Sequence, residues 1–84
     1  MLSIRVTILR NPSGSYNLQF ADSNDSSKNR AYHGLAEPRL ITDLRSQFSL
    51  SAAEVQEITT SLQGPFPIIK FLPADEATYK RVFG

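Results

Sequence analysis

The chain contains no cysteine. Disulfides and thiolate metal sites are excluded with it, and a reducing compartment fits. There is one histidine, His33, too few imidazoles for a catalytic zinc site of the usual types. An excess of charge of one sign is also missing. Nine Lys and Arg stand against eight Asp and Glu, for a net charge of +1. That balance gives no general attraction to nucleic acid or to an anionic membrane. No run approaches the ~18 apolar residues of a membrane span. Met1-Leu2-Ser3-Ile4-Arg5 lacks the continuous apolar segment of a signal peptide. A cytoplasmic protein without membrane contact is expected. Dinucleotide and phosphate-loop patterns are absent, and no serine sits in a nucleophile elbow. No cofactor is expected.

The 84 residues present read as one small domain, residues 1–84. Hydrophobic residues make up 40% of them, with five Phe and three Tyr. At this length a chain buries somewhat over ~60% of its unfolded surface, enough for one modest core.

The strongest local signal lies at Leu50-Ser51-Ala52-Ala53-Glu54-Val55. Ser51 and Glu54 have the spacing of a capping box, and Leu50 and Val55 that of a hydrophobic staple. Val55, Ile58 and Leu62 recur at helical spacing before Gly64 and Pro65. A helix therefore starts after Ser51. A helix before it is predicted from Pro38 in its first turn and from Leu40, Ile41, Leu44 and Phe48 on one face. Ser49-Leu50 leaves room only for a turn between the two.

Upstream, Leu2, Ile4, Val6 and Ile8 alternate with polar residues, and so do Tyr16, Leu18 and Phe20. Asn11-Pro12-Ser13-Gly14-Ser15 joins them as a turn, so the pair reads as a hairpin. Asp22–Asn29 is polar and without periodicity and reads as a mobile loop, or as the tip of a second, longer hairpin. Arg30–His33 is a short third strand completing a meander, ended by Gly34. Downstream, Ile68–Leu72 is a short strand bounded by Pro67 and Pro73, and Asp75 and Glu76 open a terminal helix. The fold class is α+β: a hairpin or three-stranded antiparallel meander, a helix pair on one face, a short strand and a short C-terminal helix. The hairpin followed by a helix loosely resembles the start of a ubiquitin-type β-grasp, and the second helix departs from that plan.

Chemistry is sparse. His33 is better explained as an ordinary strand-end histidine than as a general acid or base. Asp22 and Asp25 lack the spacing and glycine of a calcium loop. The helix pair looks like a helix-turn-helix, but its second helix carries two glutamates and no Lys or Arg, which opposes DNA. Two function classes remain. The first is a non-enzymatic protein–protein interaction or regulatory module, binding a protein partner or a second copy. Phe66, Phe71, Tyr79, Val82 and Phe83 crowd the end of the chain and would form its contact surface. The second is a single-stranded nucleic-acid binder or small ribonuclease using Arg5, Arg30, Tyr32 and His33 on a sheet face. Convergence of those four side chains in one groove is the discriminating observation.

Overall fold

The computed structural model describes residues 2–84. In chain order the elements are β1 (Leu2–Arg10), β2 (Tyr16–Asp22), β3 (Asp25–Leu35), α1 (Glu37–Phe48), α2 (Ala52–Ser61), β4 (Ile68–Ala74) and α3 (Glu76–Phe83). The strands form one antiparallel sheet in the order β3-β2-β1-β4. The expected α+β architecture is therefore present, with the meander rather than the bare hairpin.

Alternation gives the sheet two different faces. Ile4, Val6 and Ile8 of β1 pair with Asp22, Phe20 and Leu18 of β2, and with Leu72, Lys70 and Ile68 of β4. Paired residues of an antiparallel ladder point to the same side. That side carries the core, which Leu40 and Leu44 of α1, Ile58 of α2, Leu62 just beyond it, and Val82 of α3 close from the helical layer.

The helices begin and end on local signals. Pro38 stands in the first turn of α1, and Ser49 closes it in the left-handed region at φ 52°. Ser51 caps α2: its side chain accepts from the Glu54 N–H at 3.2 Å, and its own N–H donates to Glu54 Oε1 at 3.0 Å. In α3 the Asp75 carboxylate accepts from the Thr78 N–H at 2.8 Å. Lys80 and Arg81 lie in its last turn, the charge arrangement a helix dipole favours.

Three expectations are corrected. Asp22–Asn29 is not a mobile loop but the tip of the longer hairpin, made by β2 and β3. β3 already starts at Asp25, leaving a two-residue turn at Ser23-Asn24. Its first six residues are all exposed, so nothing imposes alternation on them; the ladder to β2 holds them in place. Gly34 does not end the strand but lies inside it, at φ +70°. Between the pairs Leu18↔Tyr32 and Tyr16↔Leu35, one residue of β2 opposes two of β3. That is a β-bulge, and it returns Leu35 to the core side. Finally, β4 runs through Pro73 to Ala74. An edge strand tolerates a proline whose missing N–H faces away from the ladder.

Candidate functional site

The helices cover one sheet face and leave the other bare. The register builds that bare face in cross-strand rows. Ile69, Thr7 and Gln19 make one row, with Ala31 completing it on β3. Phe71, Arg5 and Ala21 make the next, with Asn29 beyond them. Leu9 lies opposite Asn17. Phe71 is 62% exposed, Ile69 52% and Leu9 43%. The two most exposed of these stand on the edge strand β4, beside a free backbone edge.

The two sheet edges differ in chemistry. β3 presents Asp25, Ser26, Ser27, Lys28, Asn29 and Arg30, all exposed. Charged and polar edges of this kind resist pairing with another chain. β4 presents Ile69 and Phe71 outward and only one charge, Lys70, on the helical side. Lys70 is held there by an ion pair with Glu57 of α2.

The five aromatic and aliphatic residues of the chain's end are divided by the fold. Phe66 packs on the core with its ring 6.1 Å from that of Tyr16. Val82 is 1% exposed. Tyr79 and Phe83 are half-buried and tilt against each other with ring centroids 4.9 Å apart. Only Phe71 stands free. Ile69 and Leu9 join it, and neither is conspicuous in the sequence. The available signal is parity: within Ile68–Leu72 alternate residues must face opposite sides.

The four residues of the nucleic-acid reading do not converge. Arg5 pairs with Phe71 and Ala21 on the bare face. His33 lines a shallow recess of about 170 Å³ on that face with Thr7, Leu9, Gln19 and Ala31. Tyr32 turns to the core side, its ring edge-on to Phe20 at 6.0 Å. Arg30 donates from its guanidinium to the Phe83 carbonyl at 3.2 Å, at the C-terminal end of α3.

Elsewhere the polar groups serve the fold. Asp22 accepts from the Tyr79 hydroxyl at 2.6 Å and from the Asn24 N–H at 2.8 Å. The Tyr79 hydrogen bond, then that of Asn24, holds the Asp22 carboxyl below its ordinary value. Tyr79 is pushed up to about 12 by the same hydrogen bond. A recess of about 640 Å³ is lined by Leu2, Pro73, Ala74, Asp75 and Glu76, and Asp75 is occupied there as a helix cap. Among the described residues no group of three His, Asp or Glu is placed to hold a metal ion. Among the described residues, too, no helix is long and apolar enough to cross a membrane.

Comparison with protein-family models, curated proteins and solved structures finds no match to this chain.

Proposed function

We propose that the chain is a non-enzymatic interaction module, an adaptor or small regulator, which binds protein through the β4 edge and the bare sheet face beside it. One observation carries the reading. The edge strand exposes Ile69 and Phe71 next to an unpaired backbone, while the opposite edge is lined with polar and charged side chains. Exposed apolar edges are otherwise avoided because they pair with other chains. Strand addition uses such an edge, main-chain hydrogen bonds supplying affinity and alternate side chains specificity. The cysteine-free composition suits action in the cytoplasm.

The nucleic-acid reading has less support. Of its four residues only Arg5 and His33 share the bare face, and one fixed cation is little for a phosphate backbone.

Capture from a cytoplasmic extract of the source cell, with wild type and Phe71→Asp immobilised in parallel, tests the proposal. Proteins held by wild type and lost by the variant are expected in the mass spectrum. Identical sets from the two baits overturn it.

A further inference from the structure

We propose that β4 pairs with β4 of a second copy about a two-fold axis at Lys70, joining two four-stranded sheets into one. The proposal rests on β4 being a binding edge, and it names the occupant.

The hydrogen bonds of β1 fix which backbone groups of β4 are free. The Asn11 N–H donates to the Ser15 carbonyl, and the Ser23 N–H to the Ser3 carbonyl. Odd-numbered residues of β1 thus direct their backbone groups toward β2, and even-numbered ones toward β4. Leu2, Ile4, Val6 and Ile8 lie opposite Ala74, Leu72, Lys70 and Ile68. The even residues of β4 therefore bond back to β1, and Ile69, Phe71 and Pro73 face outward. Proline has no N–H, so the strand's free donors are those of Ile69 and Phe71.

That edge is complementary to itself. A two-fold centred on Lys70 sets Ile69 opposite Phe71 of the second copy, and Phe71 opposite Ile69. Each such pair exchanges two N–H···O bonds, so both residues use their donor and their acceptor. Pro67 and Pro73 come opposite each other at both ends and stop the ladder there. On the bare face the two most exposed apolar side chains of each copy meet those of the other. On the helical face Ile68 meets Leu72, and the two Lys70 face each other across the axis, each with its charge offset by the Glu57 carboxylate of its own copy.

The same relation, i with j and j with i, is what a closed dimer requires. The polar edge at β3 keeps the assembly from growing further. Five paired residues a side bury less than the ~1,200 Å² at the lower limit of standard interfaces, so the dimer is reversible.

The absence of native cysteine allows a direct test. Lys70→Cys brings two thiols together at the axis, in the closely spaced kind of cross-strand pair. Under mild oxidation it is expected to form a disulfide dimer at least ~10-fold faster than Ser13→Cys, a turn residue away from the interface. A mixture of Ile69→Cys and Phe71→Cys is expected to cross-link to each other in preference to themselves, which reads the register from the other face. Equal rates for Lys70→Cys and Ser13→Cys, with a wild type that sediments as a monomer up to about 1 mM, overturn self-pairing. Faster cross-linking of Phe71→Cys to itself than of Lys70→Cys overturns the register. The broader reading fails on different ground, when wild type and Phe71→Asp capture the same proteins.

Discussion

The Tyr79 hydroxyl donates to Asp22 Oδ2 at 2.6 Å, joining α3 to the end of β2 across 57 positions of sequence. The bond favours ionised Asp22 and protonated Tyr79, so it makes folding stability depend on pH at both extremes. Asp22 has a folded value below its ordinary 3.8. Its contribution is full above 3.8 and is lost as pH falls through the folded value, because the unfolded chain then binds more protons. Tyr79 has a folded value raised from 10.0 to about 12. Its contribution is full below 10 and is lost as pH rises toward 12. Tyr79→Phe is therefore expected to lower Tm at neutral pH, by an amount that shrinks on acidification below pH 4. Thermal melts from pH 2 to 8 check this. A difference that stays constant to pH 2 would show that the hydroxyl acts without the carboxylate.

Ser51→Ala removes one half of the capping box, the serine oxygen that accepts from the Glu54 N–H, and leaves the backbone N–H that donates to Glu54 Oε1. The expected cost is about 1 kcal/mol. Urea denaturation should show a lower midpoint with an unchanged slope. An unchanged midpoint would mean that Ile58 and Leu62, both buried, hold α2 without its cap.

The chain's end offers a graded series. Val82 is buried among the strands and α1, so Val82→Ala is expected to cost about 2–3 kcal/mol in lost burial and cavity. Phe83 is half-buried on Tyr79, and Phe83→Ala should cost less than the 3–5 kcal/mol typical of a core phenylalanine. Phe71→Ala, at an exposed site, should stay within about 0.5 kcal/mol. Denaturation of the three variants under one condition tests the order. A Phe71→Ala protein as destabilised as Val82→Ala would place Phe71 in the core and remove it from any binding surface.

What could be read from the residues was what is local to them. The capping box at Ser51, the acidic opening of α3 and the alternation of β1 and β2 each lie within a few positions, and all three formed. The first half of β3 could not be read, because Asp25–Arg30 is an exposed edge held only by its ladder to β2. The site depends on parity and register, which composition does not carry. Tyr32 and His33 are neighbours in one strand and so must face opposite sides, which already divides the nucleic-acid set. Crowding of aromatics near the C-terminus likewise said nothing of sides. Packing took Val82 into the core and Phe66 against it, and left Phe71 with Ile69 and Leu9.

Gly34 tests how the bulge is held. A Cβ built at this position would meet nothing within 4 Å, so a larger residue meets no steric obstacle. The backbone, however, sits at φ +70°, where an L-residue is strained by about 1–2 kcal/mol. The Gly34 N–H also donates to Asn17 Oδ1 at 3.2 Å, across the bulge to the single residue that opposes it. Gly34→Ala is expected to destabilise by about that strain, and Gly34→Asn by less, since asparagine enters this region more readily. Asn17→Ala should cost part of the same, through the lost hydrogen bond. Equilibrium unfolding of the three variants is the measurement. Equal losses for alanine and asparagine at position 34 would mean that the bulge rearranges instead of bearing the strain. Leu35 would then leave the core side, and a shift of its amide and methyl resonances would report it.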